Sequence, residues 1–106
     1  MKTIGLIGGL SWESSIEYYR IINETVREKL GGLHSAQCLM YSVDFAEIEE
    51  FMGRGEWEAV TQRMIAAAQH LKHGGAEFIL ICSNTMHKMA EAVEQAVSMP
   101  LLHIVD

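Results

Sequence analysis

The sequence predicts an α/β fold, an open, doubly wound parallel sheet of four strands with helices on both faces. Three observations carry that prediction. Four short runs are apolar nearly throughout, as strands buried on both faces are, rather than alternating like half-exposed ones. The segments between them carry apolar residues at steps of three and four, the mark of one helix face. Glycine pairs or a proline stand at most of the joints, where such elements end. With 106 residues, 49% hydrophobic and 21% charged, the chain carries enough apolar material for one core. Residues 1–106 therefore read as one α/β unit without repeats or linkers.

Lys2 to Ile7 forms the first apolar run, closed by Gly8-Gly9. Ile16, Tyr19, Ile22, Val26 and Leu30 then define one face of a helix, which Gly31-Gly32 ends. Ala36 to Val43 is the second strand. Asp44, three residues before Glu47, fits an acidic variant of the capping box and opens a short helix to about Phe51. After the break Met52-Gly53-Arg54-Gly55, a stripe of Trp57, Val60, Met64, Ala67 and Leu71 predicts a longer helix. Lys72 and His73 suit its negative end, and Gly74-Gly75 follow. Glu77 to Ile81 is the third strand. Cys82-Ser83-Asn84-Thr85 leads into a helix with Met86, Met89, Ala90, Val93 and Val97 on one side, and beyond Pro100 the fourth strand runs from Leu101 to Val105. The order β-α-β-α-β-α-β, with right-handed crossovers, makes the layer flavodoxin-like.

Charge and composition remove several classes of partner. Eight Lys+Arg against fourteen Asp+Glu leave a formal charge of −6, and the basic residues are scattered, which argues against a nucleic-acid partner. No apolar run approaches the roughly 18–20 residues of a membrane helix. The first residues run into Gly8-Gly9 too soon for a secretory signal, so the expected location is cytoplasmic. Two cysteines, Cys38 and Cys82, form no disulfide framework and no CxxC pair.

In an open parallel sheet, ligands bind outside the carboxyl ends of the strands. That rim holds Gly8-Gly9-Leu10-Ser11, Asp44, Cys82-Ser83-Asn84-Thr85 and Asp106, whereas His34 and Ser35 fall at the opposite end. Cys82 directly follows the third strand and precedes a helix, whose N-terminus is expected to lower its pKa below the reference of about 8.5. Ser83, Asn84 and Thr85 can cap that helix and bind a carboxylate. Cys38 lies five residues before Val43, deep below the rim, and reads as core. Gly8-Gly9 permits close approach of a ligand to the backbone but matches neither GxGxxG nor a P-loop. Arg54 sits where a mobile loop could close over an anion. Cys82 with His87 is too sparse for a metal site, and no metal is expected. The seven methionines read as core filling.

Ile4-Gly5-Leu6-Ile7-Gly8-Gly9-Leu10-Ser11-Trp12-Glu13-Ser14, with Tyr18-Tyr19 and Asn23, resembles the opening of the aspartate/glutamate racemase family. Cys82-Ser83-Asn84-Thr85-Met86-His87 resembles that family's first catalytic-cysteine motif, and Leu102-His103-Ile104-Val105-Asp106 extends the likeness along the whole chain. It is most similar to the broad-specificity amino-acid racemase branch. The resemblance implies a racemase independent of pyridoxal phosphate, without a cofactor, whose small-molecule substrate is an acidic amino acid. One thiolate removes the α-proton and a second thiol delivers a proton to the other face. By position, Cys82 would be catalytic, and Ser83, Asn84 and Thr85 would hold the substrate's carboxylate or amino group. Leu10 would line the pocket, and Met52, Gly53 and Arg54 would meet its distal end.

The resemblance also implies a homodimer and a second, similar α/β domain carrying the other cysteine. Residues 1–106 would be the first domain, the second being absent from this chain, and a monomer of these residues alone is not expected to invert an amino acid. Two further readings remain open. One is another cysteine-dependent chemistry of the superfamily, a decarboxylase or a maleate-type isomerase. The other is a non-catalytic flavodoxin-like module that binds a small anion or a partner protein.

Overall fold

The computed structural model describes residues 1–83 and 89–102. Its elements are β1 (Ile4–Gly8), α1 (Trp12–Leu30), β2 (Cys38–Ser42), α2 (Phe45–Gly53), α3 (Trp57–His73), β3 (Phe78–Ile81), α4 (Ala90–Val97) and β4 (Leu101–Leu102). The four strands form one sheet in the order β2-β1-β3-β4, and every pairing is parallel. Ile4 stands opposite Cys38 and Phe78, and Ile7 opposite Tyr41 and Ile81, so the three long strands end together at one rim. The expected α/β class and strand count hold. His103 to Asp106, the rest of the expected fourth strand, lie outside the described residues.

Side-chain alternation along the strands divides the core in two. Ile7, Ile79 and Ile81 point to the face covered by α2, α3 and α4, where they pack with Ile48, Val60, Met64, Leu71, Val93 and Val97. Leu6, Leu80 and Cys82 point to the other face, against Tyr18 and Ile22 of α1 and the half-buried Cys38. Cys38 is thus a packing residue at the foot of the sheet, as expected. The stripes of α3 and α4 are buried where the spacing put them, apart from Trp57, which stays partly exposed, and Met86, which is outside the described residues.

Helix α1 departs from expectation. Of its predicted stripe, Ile16, Tyr19 and Leu30 are exposed, and the residues facing the sheet are Ser15, Tyr18 and Ile22, about a quarter turn round the helix. The cause is a contact at its first turn. The Ser15 hydroxyl accepts a buried 2.9 Å hydrogen bond from the Gly9 amide, which turns Ser15 inward and fixes the rotation of the helix behind it.

The acidic capping box is half realised. Asp44 caps α2 by accepting from the Ala46 amide, 3.1 Å. Glu47, however, pairs with Arg63 of α3 at 2.6 Å, which ties α2 to α3. Helix α2 also runs two residues past Phe51, to Gly53.

Candidate active site

The chain runs from β1 out to β2 on one side, then returns to β3 on the other, so the switch point lies between β1 and β3. Cys82 sits there. Its amide donates to the Ile7 carbonyl at 2.9 Å, which continues the β3–β1 ladder one residue past β3 and places Cys82 beside the Gly8-Gly9 turn. Ser83 follows, also buried. Across β1, the Val43 amide donates to the Gly8 carbonyl at 2.9 Å. The turn is thereby held between the ends of both neighbouring strands.

The glycines of this turn are required by protein contacts. A Cβ on Gly8 would lie 2.8 Å from the Ser15 hydroxyl, and one on Gly9 would lie 2.2 Å from the Val43 carbonyl oxygen. Gly9 also has φ +85°. The groups that approach these glycines in the structure are α1 and the side chains and backbone at the end of β2. Ser11, at the start of α1, adopts φ 76° without being a glycine, a strained conformation of the kind that concentrates at functional sites.

The expected direction of the Cys82 pKa is reversed. Cys82 is 0% exposed among uncharged side chains, and burial pushes its thiol up to about 12. Desolvation penalises the thiolate, and no described residue packed against it carries a compensating charge. Helix α4 is described from Ala90, and Asn84, Thr85 and His87 lie outside the described residues. The Cys38 thiol is also raised by burial.

Because the folded pKa lies above that of an unfolded thiol, both states are protonated below about pH 9 and this group then costs nothing. Stability is expected to fall as pH rises from about 9 towards about 12, as the unfolded thiol ionises and the folded one does not. Below about pH 9, iodoacetamide should alkylate Cys82 roughly a thousandfold more slowly than a free thiol, with Cys38 reacting first. Mass-spectrometric mapping of the two alkylated peptides checks both points. Rapid labelling of Cys82 at pH 7 would contradict the buried, protonated thiol.

The remaining candidates divide across the sheet. Leu10 is 4% exposed and packs in the α2–α3–α4 core, and Met52 leans on that same core. Gly53 ends α2, and the Arg54 guanidinium pairs with Glu50 one turn back. The described contacts thus bring Cys82 and Ser83 to the Gly8–Ser11 turn, while Leu10 and Met52 pack on the opposite face from the thiol. Three residues went unnoticed in the sequence. Ser15 holds the turn, and Arg63 and His70 line a cleft of about 370 Å³ beside Asp44 and Glu47 at the end of β2. Ser15 had a readable signal, a small polar residue in the first turn of a helix after Gly-Gly. The pair Arg63 and His70 had none, because their stripe is the polar side of α3. Among the described residues no group of three or more His, Cys, Asp or Glu could hold a metal, and no helix is long and apolar enough to cross a membrane.

Fold and site together define an α/β protein with a buried cysteine at the switch point of a parallel sheet. The chain belongs to the Asp/Glu/hydantoin racemase family, whose family model matches residues 7–106. It is similar to the crystal structure of a Yersinia pestis protein assigned to the Asp/Glu racemases, with 56% identity and a TM-score of 0.94 over 97% of this chain and 45% of that one. It is also similar to an aspartate racemase homologue from Pyrococcus horikoshii OT3, with 36% identity and a TM-score of 0.85 over 96% of this chain and 44% of that one. The chain spans less than half the length of these solved relatives.

Proposed function

We propose that this chain supplies one half of the active site of an amino-acid racemase of the aspartate/glutamate type, with Cys82 as one of two groups that move a proton at Cα. The observation that carries the reading is the position of Cys82, the residue directly after β3 at the switch point, in a chain of the racemase family. Both solved relatives are more than twice as long as this chain, which leaves room for a second group on the far side of the substrate.

The chemistry follows from the thiol's protonation. Held as SH by burial, Cys82 is in the resting state a proton donor. It delivers its proton to the planar α-carbon after a base on the opposite face has removed the original one. For the other enantiomer the roles exchange, and Cys82 must then act as thiolate. The substrate's α-ammonium group, brought beside the sulfur, supplies a positive charge that the apolar side chains around Cys82 do not, and lowers the cost of that thiolate. Ser83, with Asn84 and Thr85, holds the substrate's carboxylate or amino group beside Cys82, and Gly53 and Arg54 at the end of α2 meet the distal carboxylate.

The test incubates the intact protein in deuterium oxide with L- and D-aspartate and L- and D-glutamate. Inversion with one deuterium incorporated at Cα is the expected result. Release of carbon dioxide would replace the proposal with a decarboxylase, and turnover of maleate with a cis–trans isomerase. Absence of both exchange and turnover would favour a binding module.

A further inference from the structure

Two sides of α1 compete for the sheet. Ile16 and Tyr19 are the more apolar pair of its first two turns, yet they stand 55% and 49% exposed, while Ser15 and Tyr18 take the inner side. Burial of apolar area alone would favour the opposite choice. What opposes it is the 2.9 Å hydrogen bond from the Gly9 amide to the Ser15 hydroxyl. Gly9 is itself buried, so its N–H needs that acceptor. The place that receives Ser15 also fits nothing larger. A Cβ on Gly8 would stand 2.8 Å from the Ser15 oxygen and 3.0 Å from the Met40 sulfur. An isoleucine turned into that place would therefore lift the helix off the sheet.

We propose that Ser15 is a positioning residue for Cys82, selecting the rotation of α1 that seats Tyr18 over the strands carrying the thiol. Its bearing on the reaction rests on the reading of Cys82 as a proton-transfer group. Tyr18 follows Ser15 by three residues, so it lies on the same side of the helix, about 4.5 Å further along the axis. There it packs, with Ile22 one turn beyond, against the cluster of Leu6, Leu80 and Cys82. The Ser15 hydroxyl also pins Gly9, two residues past the Ile7 carbonyl that accepts from the Cys82 amide. One side chain thus fixes both the backbone beside the thiol and the cover above it. Tyr18 and Cys38 are the other titratable members of that cluster among the described residues, and neither brings a positive charge. What holds Cys82 in its proton-donor form is therefore the exclusion of water by α1 and the strands.

The experiment maps iodoacetamide labelling of both cysteines in the intact folded protein, for wild type, Ser15→Ala, Ser15→Thr and Tyr18→Ala. At about pH 8, Ser15→Ala and Tyr18→Ala should each speed labelling of Cys82 by about tenfold or more, and that of Cys38 by less than about twofold. Ser15→Thr keeps the hydroxyl and should stay within about threefold of the wild type. Combining Ser15→Ala with Tyr18→Ala should add less than about threefold to either alone, because the two residues act through one contact. In the racemase assay, Ser15→Ala should lower kcat by about tenfold with KM nearly unchanged, and move the limb of the pH profile set by Cys82 to lower pH. Hydrogen exchange at the Gly9 amide needs no variant, and protection like that of the β1 amides is expected. Equal acceleration at Cys38 and Cys82 would mean general loosening and overturn the proposal. So would a folded Ser15→Ala or Tyr18→Ala protein that labels at the wild-type rate, or a Gly9 amide that exchanges as in an unfolded chain. Labelling and exchange need no turnover, so they test Ser15 whether or not the protein is a racemase.

Discussion

Replacing Cys82 by alanine in the intact protein is expected to lower inversion of the amino-acid substrate by about 10²–10⁴-fold, the usual worth of a positioned acid or base. The loss should be one-sided in a way that identifies the role. With one group of the pair remaining, the enantiomer whose α-proton faces that group should still exchange with solvent, but its product should keep its original configuration. Alanine is the better substitution here than serine. The Cys82 sulfur packs among Leu6 and Leu80, so its removal leaves a small apolar void, costing about 1 kcal/mol. A serine hydroxyl in the same cluster, if unpaired, would cost about 1–3 kcal/mol and confuse loss of chemistry with loss of fold. Undiminished inversion by a folded Cys82→Ala protein would remove Cys82 from the mechanism altogether.

The parts of this molecule that were legible in the sequence are those set by local pattern. Strands β1 and β3 read correctly because their apolar runs have no competing helical period, and the stripe of α3 read correctly because only one of its sides is apolar. Helix α1 was ambiguous for a physical reason. Apolar and small residues cover more than half its circumference, and periodicity alone does not say which side meets the sheet. A single long-range bond, from the Gly9 amide to Ser15, decides it.

The site was half legible. The topology rule found the rim, and with it Cys82, Ser83 and the Gly8-Gly9 turn. The rule does not give the direction in which a rim side chain points, so Leu10 was counted toward the site although it packs into the core. Nor does it give the depth of a rim side chain, and for Cys82 burial raises the thiol pKa. Arg54 looked like a free cation because its partner, Glu50, lies on the same helix and ion pairs at that spacing are common enough to carry no signal.

Gly9→Ala is expected to destabilise the fold by about 3 kcal/mol or more, far beyond an average substitution. Two effects add. An L side chain at φ +85° is strained by about 1 kcal/mol. The new Cβ would also stand 2.2 Å from the Val43 carbonyl oxygen, and that backbone cannot easily withdraw, because the Val43 amide is bonded to the Gly8 carbonyl. Relief requires separating the β1–α1 turn from the end of β2, which pulls on the Gly9–Ser15 bond and on the strand end that Cys82 is hydrogen-bonded to. Gly53→Ala is the matched control. Nothing lies within 4 Å of its new Cβ, and it sits in the last turn of α2, where alanine is the better helix former by up to about 1 kcal/mol. Urea denaturation of the two variants should therefore move in opposite directions. Equal midpoints would mean that the Gly-Gly turn is not clamped between α1 and β2, and the geometry that delivers Cys82 to the switch point would lose its support.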